Sequence, residues 1–489
     1  MTAPFSLGID LGTTSVKVLA LDQTGQVLAV SSSQHGIEAS PVGVQANPEE
    51  WWQSLLRAMK DLGGQVRMAD VVALGFSGNM SSVVLVDDDG MAIAPALLLA
   101  DSRGSEQLAA LTYEQRERIV TVTGNVPETL FSLASLLWWN AVRSDILDRA
   151  TVWLSAKDYL RARLTGVLAT DPTDAYNSLL ISGVSWNTEL IDSLGLRRSL
   201  FPPLLHSSSL GGSVHAAAAE KTGIPEGTVV AMGSGDVAAA ITGMGGLSRD
   251  QLAISLGTSA TVMAALDRGV RPAPPRDAVG AMSVHPSADG TWFALGSLLT
   301  GGLALNWLRS IVGSEPIAEA EAIPSRSNQL VFLPYLAGTG SPDFISSATG
   351  MILGVSPTTT AKQLVEALCE AIAFDIAALV ERLGAQAYNH VVVSGGGSRV
   401  QAWPQILADV LRLPVKVLDQ PDLSAVGAAI YGWEALGMEV MPQNAGSTLT
   451  PHLETEFAWE IRRRRFEHAR KLSLELSARL NSPQRKATQ

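Results

Sequence analysis

The chain has 489 residues, too many for one ordinary core, so two large domains are expected. Hydrophobic residues make up 46% and charged residues 17%, a globular balance, and the net charge of −12 argues against nucleic acid or an anionic membrane as a partner. A single cysteine, Cys369, and seven scattered histidines without HxxxH or HExxH spacing exclude a disulfide framework and a thiolate or histidine-built metal site.

The opening MTAPFSLGID runs straight into an apolar strand and carries no signal-peptide pattern. No apolar run approaches the ~20 residues that span a bilayer, so a cytoplasmic protein is expected. SLGIDLGTTSVKVLALD reads as a strand, a tight turn at Leu11-Gly12-Thr13-Thr14, and a second strand that turns at Asp22–Gly25 and returns through Val27–Ser31. Asn47-Pro48-Glu49-Glu50 opens a helix: Asn caps, Pro takes the first helical position and acids follow. Trp51, Trp52, Leu55, Leu56 and Met59 then share one face. Val71–Phe76 and Val83–Val86 read as buried strands, and helical periods recur at Leu130–Val142 and Asp158–Leu164. Strand Val229–Met232 leads into Gly233-Ser234-Gly235-Asp236.

A boundary near Gly243–Arg249 divides residues 1–245 from 246–489. The second half repeats the opening: strand Gln251–Leu256, turn Leu256-Gly257-Thr258-Ser259, strand Thr261–Ala265. A strand at Trp292–Leu295 and helices around Leu299–Ile311 and Ala361–Leu383 follow. Strand Val391–Val393 enters the turn Ser394-Gly395-Gly396-Gly397-Ser398. Helix Ala402–Leu411, strand Val415–Leu418 and a small-residue helix from Ser424 to Ala435 come next. Arg462–Arg465 read as a solvated helix face, and residues after Ser482 as a disordered tail. The order of elements predicts an α/β fold.

The repeated Leu-Gly-Thr-Thr/Ser turn is the most telling pattern. Glycine at the bend lets backbone approach a ligand, and the following N–H and hydroxyl groups point into the gap. Two such hairpins, one per half, suit a polyphosphate held between two similar domains. No GxxxxGK[ST] occurs, so this is not a P-loop protein. Gly233-Ser234-Gly235-Asp236-Val237-Ala238 imitates GxGxxA, and a dinucleotide-binding oxidoreductase is the runner-up; it leaves the repeated hairpins unexplained. Taken together, four glycine-rich turns give a better account. Asp10 beside the first turn can hold magnesium through water, and Lys17 can help neutralise phosphates. Thr258 would hold the far side of the phosphate chain. The Ser394–Ser398 turn offers bare backbone to a flat base, and Asp236 can face an incoming hydroxyl. Singly, each has a plainer reading: Asp10 a strand-end acid, Asp236 a helix cap.

Over roughly residues 5 to 440 the chain resembles the FGGY family of carbohydrate kinases, in the actin, Hsp70 and hexokinase superfamily. The resemblance rests on GIDLGTTSVKVLALD, NPEEWW, KDYLRARLTG with Thr170-Asp171, GSGD at 233–236, ISLGTS at 254–259, FLPYLAG, SGGGSRVQAWPQILADVL and SAVGAAIYG. Within the family it is most like the xylulose kinases. It implies two ribonuclease-H-like domains around a central cleft that holds ATP and sugar, and a homodimer is a further possibility by likeness. It implies Asp236 as catalytic base, Asp10 as the metal and phosphate acid, and Asp10 with Asp236 as the magnesium pair. Gly12, Thr13, Thr14 and Lys17 match the first phosphate loop, Gly257 and Thr258 the second. Gly395, Gly396 and Gly397, with Arg399 and Gln401, match the adenosine site. The chemistry implied is in-line transfer of the ATP γ-phosphoryl to a hydroxyl of a sugar or polyol.

The departures gather on the sugar side. GQMHG becomes Gly78-Asn79-Met80-Ser81-Ser82, and WNDxR becomes Leu99-Ala100-Asp101-Ser102-Arg103. Val237 follows the catalytic acid where Asn is usual, PKLLW becomes Ala134-Ser135-Leu136-Leu137-Trp138, and GERTP becomes Gly338-Thr339-Gly340-Ser341-Pro342. Met80, Ser81, Asp101, Arg103, Asp236 and Val237 are therefore the expected substrate contacts, in a pocket poorer in polar groups. D-xylulose or a related ketopentose is the expected substrate. A less hydroxylated substrate, or a nucleotide-binding regulatory protein of the same fold, are the alternatives.

Overall fold

The computed structural model describes residues 4–41, 43–266, 282–322, 329–345, 347–383, 388–420 and 422–480; the tail after Ser482 lies outside them. The first sheet begins with β1 (Phe5–Leu11), β2 (Ser15–Asp22) and β3 (Val27–Gln34), an antiparallel ribbon with Asp10 opposite Lys17. Helix α1 (Pro48–Gly63) covers it, capped by Asn47, whose side chain accepts from Glu49 N at 3.0 Å. Its apolar face buries Trp51, Trp52, Leu55 and Met59. β4 (Val71–Gly78) then runs parallel to β1, placing Ser77 beside Asp10. The chain goes on through α2 (Ala156–Thr165) and α3 (Pro172–Ala175). It returns to the sheet through β5 (Leu210–Ser213), β6 (Val229–Ala231) and the two-residue β7 (Ser234–Gly235), then leaves it as α4 (Asp236–Gly243). The strand order is β5-β6-β4-β1-β2-β3, with β7 on β4.

The second sheet repeats the plan. β8 (Gln251–Leu256) and β9 (Ala260–Ala265) form the hairpin, extended by β10 (Ser283–Pro286) and β11 (Trp292–Leu298). After α5 (Gly302–Val312) and α6 (Ala361–Arg382), β12 (His390–Ser394) joins parallel to β8. α7 (Ala402–Leu411), β13 (Val415–Leu418), α8 (Leu423–Ala435), β14 (Gly446–Leu449) and α9 (Glu456–Leu480) complete the fold. The order is β10-β11-β9-β8-β12-β13-β14. In both sheets three antiparallel strands are continued by parallel ones on the side of the first strand. This is the ribonuclease-H arrangement, twice, and each sheet has its own core.

α8 lies C-terminal to the second sheet's main strands yet packs on the first sheet. It crosses α4 at backbone contact: a Cβ at Gly243 would lie 2.0 Å from Leu423 O, and one at Gly427 1.9 Å from Ala239 O. Any side chain there would force these helices apart, and they join the two halves. The arginine run departs from expectation. Arg462 on α9 is buried and paired with Glu370 of α6, while Arg463 and Arg464 bond acids at the surface. Four consecutive helical residues cover all sides of a helix, so one arginine must face the core.

Candidate active site

β1 and β4 bring Asp10 and Ser77 side by side, and Ser77 Oγ donates to Asp10 Oδ1 at 2.8 Å. Ser424 at the start of α8 donates to Oδ2 at 2.8 Å. Lys17, opposite Asp10, donates from Nζ to Asp422 Oδ1 at 2.6 Å. Burial raises the Asp10 carboxyl above its ordinary value; the two serines and Lys17 work against that. Burial also works against the Lys17 charge, but Asp422 and Asp10 outweigh it and raise the ammonium. Ser77, Asp422 and Ser424 were missed by sequence reasoning. Their only signal is polarity beside a strand end and at the head of the small-residue helix.

The turn after β1 closes with Gly12 N donating to Ser15 O at 2.9 Å and leaves Thr13 and Thr14 exposed. The turn after β8 leans on α5: Gly257 O accepts from Gly302 N at 2.7 Å and Thr258 O from Leu303 N at 2.9 Å, leaving Thr258 exposed. At the third turn, Gly395 has φ +89°, and a Cβ there would lie 2.7 Å from Leu256 O, so this turn crosses the end of β8 at backbone contact. A Cβ at Gly396 would meet open space, and Arg399 and Gln401 are exposed beside it. All three turns stand at the carboxyl ends of first strands or their parallel neighbours, where α/β sheets bind ligands.

Asp236 is the first residue of α4, and its Oδ1 accepts from Val237 N at 2.8 Å. The cap position belongs to Gly235, so Asp236 is not the helix cap. Burial pushes the Asp236 carboxyl up to about 7, with the charge of Asp10 adding to it. The two acids thus share one electrostatic environment, from the two ends of the first domain's fold. After α4 the chain passes to the second sheet, so no βαβ crossover follows Gly233–Asp236. That removes the dinucleotide-turn reading, which needs one.

Among the described residues no group of three or more His, Cys, Asp or Glu gathers as a metal cage. The donor set still fits magnesium, which keeps several waters and takes one or two carboxylates together with phosphate oxygens.

On the acceptor side, Met80 covers the backbone before Asp236: a Cβ at Gly235 would lie 2.8 Å from Met80 Cγ. Ser81 has φ +65°, and its buried hydroxyl has no hydrogen-bond partner among the described residues. Val237 and Met80 pack against the Ile241–Phe293–Leu295 cluster. Asp101 is buried, and its oxygens are already engaged: Val44 N donates at 2.9 Å, and Arg103 donates from N at 3.1 Å and Nε at 2.8 Å. Arg103 also bonds Gln45 and stacks 4.8 Å over Trp138. Met80 therefore lies against the turn before Asp236 and Val237 follows it, whereas Asp101 and Arg103 bond each other and the Val44–Ala46 strand. Met80 also borders a cavity of about 150 Å³ with Leu99, Leu130, Phe131, Leu299 and Phe344. A larger space of about 440 Å³ opens between the ends of α4 and α8, by Thr242, Tyr431 and Glu434.

Two ribonuclease-H-like domains with paired glycine-hydroxyl turns and facing acids define the class of sugar kinases of the actin and hexokinase type. Residues 5–243 match the N-terminal domain, and residues 252–436 the C-terminal domain, of the FGGY family of carbohydrate kinases. The chain belongs to that family and is a sugar kinase, a phosphotransferase with an alcohol group as acceptor. It is 30% identical to the xylulose kinase of Bacillus subtilis, covering 88% of this chain and 89% of that one. It is also 30% identical to that of Escherichia coli, covering 92% and 93%. A xyloylose kinase from Brucella ovis superposes with a TM-score of 0.85 at 27% identity, over 96% of this chain and 99% of that one. A Plasmodium falciparum glycerol kinase solved with ADP shares the fold at TM-score 0.82 and 19% identity, over 97% and 98%. Among the described residues no helix is long and apolar enough to cross a membrane.

Proposed function

We propose that the chain transfers the γ-phosphoryl group of ATP to a hydroxyl of a sugar or polyol, with D-xylulose or a related ketopentose as the first acceptor to test. The observation that carries this reading is that Asp10 and the turn before Asp236 both lie against the end of β4, at Ser77 and Gly78, among the exposed glycine-hydroxyl turns. Asp236 accepts the proton of the attacking hydroxyl, and its raised value suits a base working near neutral pH. Gly12, Thr13, Thr14 and Lys17 on one side and Gly257 and Thr258 on the other hold the phosphates in line. Gly395–Gly397, Arg399 and Gln401 receive the adenosine. Asp10 and Asp236 would hold magnesium, which would supply charge neutralisation on the phosphates. Closure of the halves about α4 and α8 excludes water as a competing acceptor.

A second reading, a less hydroxylated acceptor, is favoured by the lining of the cavity at Met80. Asn125 there spends its amide on Val284 O and Val284 N, at 2.9 and 2.8 Å. Glu128 in the same lining disfavours acidic substrates. The test is ADP release from MgATP across ketoses, aldoses, deoxy sugars and polyols, with Asp236→Ala as control. Acceptor-dependent release abolished by the variant is expected. MgATP binding with no acceptor-dependent turnover would favour the regulatory alternative.

A further inference from the structure

KDYLRARLTG and Thr170-Asp171 carry no part of the chemistry above, yet they build the most heavily charged buried cluster described. Lys157 Nζ lies 2.8 Å from Asp158 Oδ1, 3.0 Å from Asp171 Oδ1 and 3.6 Å from Asp174 Oδ2, and every one of these side chains is at most 1% exposed. Arg161 Nη2 reaches Asp158 at 3.4 Å and donates to Ala169 O at 2.6 Å. Burying so many charges is costly and is weak support for stability alone. What the cluster achieves lies along one line of contacts leading out of it.

Asp171 caps α3 and accepts at Oδ2 from Thr173 N at 2.9 Å, Thr173 Oγ1 at 2.7 Å and Ser207 Oγ at 2.9 Å. The Thr173 proton is thereby committed to Asp171. A lone pair remains, and it accepts the backbone N–H of Gly235 at 2.9 Å. Gly235 is the residue before Asp236. Lys157 also props the other side of this turn: its Cβ would lie 3.0 Å from a Cβ at Gly78, the parallel partner of Gly235.

We propose that Thr173, held by Asp171 and Lys157, is a positioning residue for phosphoryl transfer: it fixes Gly235 and so the direction in which Asp236 meets the acceptor hydroxyl. This rests on Asp236 being the base. A hydroxyl anchored at one end by a carboxylate has no freedom to swing, so the turn is set before substrate arrives, as orientation of a reacting group requires.

Three variants test it. Thr173→Val removes donor and acceptor with little change in volume, Thr173→Ser keeps both, and Ser207→Ala removes a different donor to the same Asp171 oxygen without touching Gly235. The expected result is a fall in kcat of about ten- to a hundredfold for Thr173→Val, with KM for MgATP unchanged. Thr173→Ser should stay within about threefold of the parent, and Ser207→Ala should lower the melting temperature without lowering kcat. Amide hydrogen exchange of the 229–241 segment is read in parallel, because it needs no acceptor. Faster exchange there in Thr173→Val, restored in Thr173→Ser, supports the proposal even if the kinase reading fails for every acceptor tried. Unchanged exchange, or kcat losses that only track melting temperature across the three variants, would overturn it.

Discussion

Lys17 Nζ donates to Asp422 Oδ1 at 2.6 Å, joining residues 405 positions apart and tying β2 to the residue that opens α8. The ammonium is thereby held beside Asp10 rather than left to roam in solvent. If it neutralises phosphate in the loaded enzyme, Lys17→Met should lower kcat/KM for MgATP by about tenfold or more, the scale of one hydrogen bond to a charged group. Asp422→Asn should lower it less, since the lysine keeps its charge and loses only its tether. Kinetics against MgATP concentration decide this, and an unaffected Lys17→Met enzyme would remove Lys17 from the phosphate site.

Asp236→Asn should lower kcat by about a hundred- to ten-thousandfold, the usual contribution of a positioned base. MgATP should still raise its melting temperature, because Asp10 and the phosphate turns remain to hold it. With the Asp236 carboxyl at about 7, the free enzyme holds a working base only above that value. The kcat/KM for acceptor should therefore rise with pH and level at or below about 7, since magnesium beside the carboxylate would favour its charged form. Asp10→Asn removes a charge that raises Asp236, so the inflection in its residual activity should move to lower pH. A pH-independent rate between 5 and 8 would argue against Asp236 as the base.

The two hairpins and the acid at the head of α4 were legible in the sequence because their signals are local. A glycine, a hydroxyl and two apolar runs within about fifteen residues specify the turn by themselves. The partners of Asp10 were not legible, because Ser424 is brought to it by the packing of α8 on the first sheet. No spacing rule links positions more than four hundred residues apart. Asp101 likewise has partners that its own stretch of sequence does not announce. Its sequence context matches a sugar-binding phrase, but pairing of the Val44–Ala46 strand with Ala96–Leu97 delivers Val44 N to its carboxylate. Only the fold shows that the Thr173 hydroxyl reaches Gly235.

Arg462 and Glu370 form a buried pair between α9 and α6. Burial pushes the Glu370 carboxyl up to about 7 from an ordinary 4.5, with Arg462 offsetting only part of the shift. Between those values the native protein holds a proton that the unfolded chain has released. Stability should therefore fall as pH rises from about 4.5 to about 7, and Glu370→Gln should flatten that part of the profile. Arg462→Ala leaves the carboxylate without its partner and should cost about 3–5 kcal/mol in urea unfolding at pH 8. A loss near zero would mean that this arginine is as dispensable as its exposed neighbour Arg464.

The cavity beside Met80 yields the sharpest test of substrate class. Met80, Leu99, Leu130, Phe131, Leu299 and Phe344 line most of it, the Asn125 amide is already bonded to Val284, and Glu128, Asn177, His285 and three serines are the remaining polar groups. A substrate hydroxyl that enters this space gives up water and finds few partners, a cost of about 1–3 kcal/mol on mutational scales. Removing the hydroxyl at the end of the acceptor remote from the phosphorylated oxygen should therefore raise kcat/KM by about tenfold. Ser81→His should narrow that difference, because it restores a polar group beside Met80 at a position whose φ of +65° histidine tolerates. Paired rates on a ketopentose and its terminal deoxy analogue give the answer directly. If the fully hydroxylated sugar is preferred tenfold or more, its hydroxyls are bonded elsewhere in the cleft and the apolar cavity is not where the acceptor lies.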